Sequence, residues 1–252
     1  MSVQPMQPES SDAKPRRVAL ITGGAIRIGR EVALTLARAG MDIAITYRGS
    51  ADEAHHTVEE IESLGAQAIA LQMDVREEAS VRDTVAVVEE RFGTLDLLVN
   101  SAAVFQSVAL DTISVEQWDE TFDTNARGPF LMSREALPYL KAAQGRIVNL
   151  GSLGGINPWA EHAHYCASKA ALHMLTQTMA KAFAPDVSVN CVAPGYIHFG
   201  EPDKVSERFA AKTPMKRNGS ANDVAQAVLF FATGPHFITG QIMTVDGGLG
   251  LT

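Results

Sequence analysis

Short, nearly unbroken apolar runs alternate along this chain with longer stretches in which apolar positions recur every three or four residues. The runs "VALIT" at 18–22, "DIAIT" at 42–46, "AQAIALQMD" at 66–74, "LDLLVNSA" at 95–102, "GRIVNLGS" at 145–152, "DVSVNCVAP" at 186–194 and "QIMTVDGG" at 241–248 predict buried strands. The periodic stretches predict helices over 27–39, 51–64, 77–91, 115–142, 163–183 and 222–232. Strand followed by helix from end to end implies parallel pairing, because parallel neighbours need a crossover and the crossover helices then cover the sheet. The expected fold is α/β: a single-domain, doubly wound, Rossmann-type parallel sheet of about seven strands, with helices on both faces, over residues 16–252. Residues 1–15 are polar and aperiodic and read as a disordered tail.

Composition narrows the classes of function. A 46% hydrophobic content over 252 residues supplies one substantial core. No stretch reaches the roughly 18 uninterrupted apolar residues that span a bilayer, and the opening "MSVQPMQPESSDAKPRR" lacks a greasy run, so a soluble, cytoplasmic protein without a secretory signal is expected. Two isolated cysteines, Cys166 and Cys191, make no disulfide framework or zinc knuckle and read as small core residues in a reducing compartment. A net charge of -8 offers no general attraction for nucleic acid or anionic lipid. Any recognition of phosphate must therefore be local.

The first strand leads into "TGGAIRIGR", a tight turn opening a helix. There Gly23 and Gly29 would let the backbone approach a pyrophosphate at the helix N-terminus, where unpaired N–H groups and the dipole favour an anion. Arg27 faces that positive dipole end, which is unfavourable unless a bound phosphate reverses the sign; the alternative is a side chain in solvent. After the second strand an NAD site would carry Asp or Glu for the ribose hydroxyls, whereas this chain reads "TYRGSADEA". Arg48 and Ser50 suit a 2′-phosphate better, and Asp52 and Glu53 read as first-turn residues of the next helix, so NADP(H) is the expected cofactor. A solvated Arg48 is the bland alternative.

Tyr165 and Lys169 in "HYCASKAAL" lie four apart, on one face of a helix, and Ser152 ends a strand just before them. A phenol titrates near pH 10, and an adjacent ammonium would stabilise its phenolate and lower that value. Tyr165 could then give a proton to a developing oxyanion, or remove one, while Ser152 hydrogen-bonds the same oxygen. Asn125, an amide inside a predicted helix, wants a reason for its place. His162, His164 and Cys166 lack the spacing of a zinc site; both histidines are expected at the pocket rim or surface, and no histidine, His173 included, is given a catalytic role.

"TGGAIRIG", "MDV" at 73–75, "NSAA" at 100–103, Asn125, Ser152, "YCASK" at 165–169, "APGYI" at 193–197 and "VDGG" at 245–248 together resemble the short-chain dehydrogenase/reductase family over residues 17–252. The resemblance implies a catalytic tetrad of Asn125, Ser152, Tyr165 and Lys169, with Asn125 holding a water in a proton relay through Lys169. It implies cofactor contacts from Gly23, Arg27, Ile28 and Gly29, from Tyr47, Arg48 and Ser50, and from Asp74 and Val75 at the adenine. Asn100 and Ala102 would line the cofactor, Pro194, Gly195 and Ile197 would border the nicotinamide, and Tyr165 and Lys169 would touch it. No metal is implied, and a homotetramer packed through the helices around 115–142 and 163–183 is.

Arg27 in place of a family glycine, and Phe105, resemble the pteridine reductase branch, in which the arginine contacts cofactor and substrate and the aromatic stacks on a pterin. On that reading Arg27, Phe105, Ser152 and Tyr165 bind substrate, although the branch carries aspartate where this chain has Ser152. A 3-oxoacyl-carrier-protein or small-ketone reductase is the alternative, and an NADP(H)-binding redox sensor the non-enzymatic one. "IHFGEPDKVSERFAAKTP" reads as a mobile segment covering the substrate.

Overall fold

The computed structural model describes residues 16–252, so the expected tail lies outside the described residues. The apolar runs form β1 (Val18–Thr22), β2 (Asp42–Tyr47), β3 (Ala68–Gln72), β4 (Leu97–Asn100), β5 (Arg146–Leu150), β6 (Ser188–Pro194) and β7 (Ile242–Val245). Every pairing is parallel, in the order β3-β2-β1-β4-β5-β6-β7. The chain winds outward from β1 to β3 on one side and from β4 to β7 on the other. The direction reverses between β1 and β4, and a crevice opens outside their carboxyl ends.

Strand parity divides the core. Ala19 and Ile21 of β1 face a cluster holding Leu36, Ile43, Ile45, Val228 and Phe231, whereas Val18 and Leu20 face Val85, Leu98, Met132, Ile147 and Met179. Burying such a side chain contributes about 1.5–3 kcal/mol, so both faces of the sheet resist any slip in strand register. The covering helices are α1 (Arg27–Arg38), α2 (Ala51–Ser63), α3 (Glu78–Phe92), α4 (Val115–Phe122), α5 (Gly128–Ala142), α6 (Ala163–Phe183), α7 (Lys204–Lys212) and α8 (Ala221–Thr233). None of the described helices is long and apolar enough to cross a membrane.

Two expectations about elements need correction. The single helix expected over 115–142 is broken by a π-helical turn at Asp123–Arg127. Pro129 explains the break: it has no N–H to give the carbonyl of Asn125, and its ring crowds that carbonyl. The segment expected as a loop over 197–214 contains α7, whose start is fixed by a reciprocal cap in which Asp203 accepts from the Ser206 N–H and the Ser206 hydroxyl serves the Asp203 N–H.

Candidate active site

The glycine turn after β1 is shaped by close backbone approach. A methyl group on Gly29 would strike the carbonyl oxygen of Gly23, so only glycine lets α1 begin so close to the strand. The start of α1 has no side-chain cap and no acid in its first turn, in contrast to α4, α7 and α8, which are capped by Ser114, Asp203 and Ser220. Its N–H groups are left for an anion. Gly23, Arg27, Ile28 and Gly29 all line one cleft of about 1370 Å³ outside the carboxyl ends of the strands.

Arg27 sits at φ 52°, in the left-handed region that favours glycine, and its guanidinium lies 5.7 Å from the centre of the Phe199 ring. The side chain is exposed to solvent and at the same time lines the cleft beside Phe199. A left-handed non-glycine residue costs roughly 1–2 kcal/mol. Arg27→Gly is accordingly expected to raise the melting temperature of the cofactor-free protein slightly while weakening NADPH binding; parallel melts with and without NADPH check both halves.

Beyond β2, Tyr47, Arg48 and Ser50 line the cleft, as do Asp74 and Val75 after β3. Asp52 and Glu53 occupy the first turn of α2, the structural place expected of them. Arg48 is over half exposed and stands 3.7 Å from Glu120, which Arg76 approaches at the same distance. Sequence reasoning missed Arg76. It grips Asp74 through Nε and Nη2 at 2.9 and 2.6 Å, and this hydrogen bonding holds the Asp74 carboxyl below the usual carboxylate range despite partial burial. Ion pairs this exposed contribute little, so a phosphate can take Arg48 from Glu120. Arg48→Ala is expected to raise the dissociation constant for NADPH about tenfold to a hundredfold, the worth of one charge-assisted hydrogen bond, and to leave NADH nearly unchanged. Isothermal titration of both cofactors checks it, and equal losses would mean loop damage.

At the other end of the cleft, β5 delivers Ser152 and α6 presents Tyr165 and Lys169. Lys169 is buried, and its Nζ donates to the Leu150 carbonyl at 2.7 Å while lying 5.7 Å from the centre of the Tyr165 ring. Burial pulls the ammonium down to about 8. The depressed phenol expected from the sequence is not what this arrangement gives: burial pushes Tyr165 up, and the Ser152 hydroxyl offsets only part of that. Lys169 addresses the ring and a backbone carbonyl rather than the phenol oxygen. Tyr165 therefore holds its proton at neutral pH, the state a proton donor needs.

Aromatic rings frame Tyr165. Phe105 meets it edge-on at 4.8 Å and stacks on His162 at 4.5 Å, and Trp159 lies parallel to it at 6.2 Å. Phe105 is 59% exposed and lines the cleft, where a substrate contact was expected. Trp159 escaped sequence reasoning; its only signal was an aromatic in the loop between the serine and the tyrosine. Ala102, Pro194, Gly195 and Ile197 also line the cleft.

Asn125 and Asn100 do not line it. The Asn125 amide accepts from the Val104 N–H at 2.8 Å and donates to the Val104 carbonyl and the Ser168 hydroxyl at 2.9 and 3.1 Å. It ties the π turn to α6 and to the loop carrying Phe105. Asn100, expected beside the cofactor, is a correction: it is buried and donates to Asn149 at 2.8 Å and Ser133 at 3.3 Å. Its register partner on β5 is Asn149, so the two side chains leave the sheet on the same face and meet there.

The histidines differ from expectation too. His162 does stand at the rim, with Nδ1 2.9 Å from the Gln106 carbonyl, but His164 is fully buried and neither ring nitrogen has a partner among the described residues. It precedes Ser168 by one helical turn and so faces inward with it. Cys166 is half-buried rather than a core residue; Cys191 is buried as expected. No group of three or more His, Cys, Asp or Glu able to hold a metal occurs among the described residues.

His173 is the neighbour that sequence reasoning passed over. Its buried ring accepts from the Ser152 N–H at 3.4 Å, and a methyl group on Gly151 or Gly155 would overlap it. Both glycines make room for an imidazole behind the serine. Burial, helped by the charge of Lys169, takes His173 down to about 4 from its ordinary 6.5. As pH falls from 6.5 towards 4 the unfolded chain takes a proton here that the folded protein refuses, so stability falls with pH in that window. Denaturant melts should show a flatter decline for His173→Gln.

A family model described as Enoyl-(Acyl carrier protein) reductase matches residues 24–250. The chain is 36% identical to the 3-oxoacyl-[acyl-carrier-protein] reductase FabG of Staphylococcus epidermidis, over 92% of this chain and 98% of that protein. It is equally similar to the FabG of Staphylococcus aureus, over 94% and 99%. A short-chain dehydrogenase/reductase structure from Burkholderia xenovorans superposes with a TM-score of 0.91 at 31% identity, covering 94% of this chain and 99% of that one. A blue fluorescent protein from a metagenomic library, solved in complex with NADPH, gives 0.87 at 33% identity, covering 92% and 97%.

Proposed function

The chain belongs to the short-chain dehydrogenase/reductase family and is an oxidoreductase; from that premise we propose that it is an NADP(H)-dependent reductase of 3-oxoacyl thioesters, with Tyr165 as the proton donor. The observation that carries the reading is the single cleft in which the glycine turn, Arg48 and the Ser152–Tyr165–Lys169 group meet. The FabG relatives support this substrate class over the pteridine expected from Arg27 and Phe105. One observation still favours a flat ring as a second reading: the exposed face of Phe105 beside Tyr165.

The residues fit the cofactor. The Gly23–Gly29 approach and the uncapped start of α1 offer N–H groups to a pyrophosphate, and Arg48 offers a cation to a 2′-phosphate. When bound, the nicotinamide supplies hydride chemistry. The protein's part is to manage the oxygen of the reacting carbonyl. Tyr165 gives that oxygen its phenolic proton, and the Ser152 hydroxyl hydrogen-bonds the same oxygen as charge develops. The Lys169 ammonium opposes the negative charge left on the phenol. Asn125 acts behind them, fixing the π turn against α6, and His173 holds the Ser152 backbone from the opposite side.

Exposed Trp118, Phe130 and Met174 give α4, α5 and α6 apolar surface that supports a homotetramer. The test of function is NADPH consumption with an acetoacetyl thioester, dihydrobiopterin and a simple ketone side by side. Preference for the thioester is expected; preference for the pterin selects the second reading, and cofactor binding without turnover on any carbonyl selects a sensor.

A further inference from the structure

The protein is acidic overall, yet one face of α7 is cationic. Lys204, Arg208 and Lys212 follow one another at intervals of four residues and, with Val205 and Phe209, line a groove of about 430 Å³. Helical spacing puts all five side chains on one contiguous face, with the two apolar residues along its inner edge. Val205, Phe209 and Lys212 also line the large cleft, so groove and cleft adjoin along α7. Glu207, the helix's other charged residue, does not line the groove. Among the described residues none of the three cations is engaged in an ion pair. This sets them apart from Arg217 nearby, whose two terminal nitrogens hold the Asp223 carboxylate at 2.7 Å.

A groove with an apolar inner wall and a cationic rim suits a ligand with an apolar body and an anionic head. The geometry points to a binding site for the phosphate of the arm that carries the substrate. We infer that Lys204, Arg208 and Lys212 hold the phosphate of a phosphopantetheine thioester while Val205 and Phe209 pack against the chain leading to the reactive carbonyl near Tyr165. The assignment rests on the thioester reading proposed above. It assigns a reason to the charge: several flexible cations converging on one phosphate anion gain more from it than from the solvent they face alone. Phosphopantetheine occurs on acyl carrier proteins, joined to serine as a phosphodiester, and within coenzyme A, as one half of a pyrophosphate, so both present an anionic phosphate at the same distance from the thioester.

Steady-state kinetics with matched substrates tests it: acetoacetyl-pantetheine, acetoacetyl-pantetheine 4′-phosphate, acetoacetyl-CoA and the acetoacetyl carrier protein. For the unaltered enzyme, KM should be lower for the phosphorylated arm than for the phosphate-free arm by about tenfold, with kcat alike, and the advantage should shrink as salt is raised. Lys204→Glu with Arg208→Glu should erase that advantage on all three phosphate-bearing substrates and leave acetoacetyl-pantetheine unaffected. Equal KM for the two pantetheine thioesters in the unaltered enzyme would overturn the site. So would a loss confined to the carrier protein, which would mean contact with an acidic protein surface, or an equal loss on the phosphate-free thioester. If the unaltered enzyme reduces none of the four, it is the thioester reading that fails.

Discussion

Tyr165→Phe is expected to lower kcat by about a thousandfold or more, near the upper part of the range for losing a general acid, while NADPH binds almost as before. The substitution deletes one oxygen from a ring whose neighbours, Phe105 and Trp159, contact its faces and edge rather than its hydroxyl. The fold should therefore keep the aromatic cluster intact. Burial holds this phenol above its ordinary range, so at neutral pH it is loaded with the proton it must give. Fluorescence titration of NADPH against the variant, beside its turnover, separates the two effects. A variant that binds cofactor and turns over at the normal rate would remove Tyr165 from the mechanism.

Lys169→Met carries the second large effect, a loss of about a hundredfold or more in kcat, with a distinctive signature in stability. Methionine keeps the length of the buried stem but lacks the charge that opposes a developing phenolate. Because burial pulls the ammonium down to about 8 from its ordinary 10.5, the folded protein releases this proton before the unfolded chain does as pH rises. The unfolded state then holds the extra proton between those values, so this lysine contributes a gain in stability with rising pH across that window, against the opposite contribution of the Cys191 thiol, which burial pushes up to about 12. The methionine variant should lack this gain. Chemical denaturation at about pH 8 and pH 10 reads it directly, and a merely structural lysine on the surface would not produce it.

The parts of the fold that could be read in advance are those that strand burial controls. β1 is buried on both faces, which leaves a nearly continuous apolar run in the sequence, β6 is buried likewise with only Ser188 and Asn190 interrupting its run, and the four-residue spacing of Tyr165 and Lys169 survives as one face of α6. The π turn was less legible, because its cause is a proline four residues after the residue whose carbonyl it frees. α7 was hidden by its shortness and by the charged residues that face solvent and the groove rather than a core. Asn100 shows a different limit. The family resemblance implied a place at the cofactor, but only the register Asn100↔Asn149 reveals that it leaves the sheet toward another amide.

His173 and Arg76 were illegible for a related reason: each matters through a partner distant or inconspicuous in the chain. An imidazole behind Ser152 becomes visible only once Gly151 and Gly155 are seen to leave it space. Arg76 gains meaning from Asp74 and from Glu120 on α4, which places a second cation beside Arg48.

The account depends on hydride passing between a bound nicotinamide and a carbonyl held in this cleft. Reduction of an acetoacetyl thioester with NADPH deuterated at the transferable position of the nicotinamide, in ordinary water, tests it most directly. The predicted product carries one deuterium on the carbon of the former ketone and an ordinary proton on its oxygen. A 3-hydroxy product without that deuterium, formed while NADPH is consumed, would contradict direct transfer and with it the role given to the cleft.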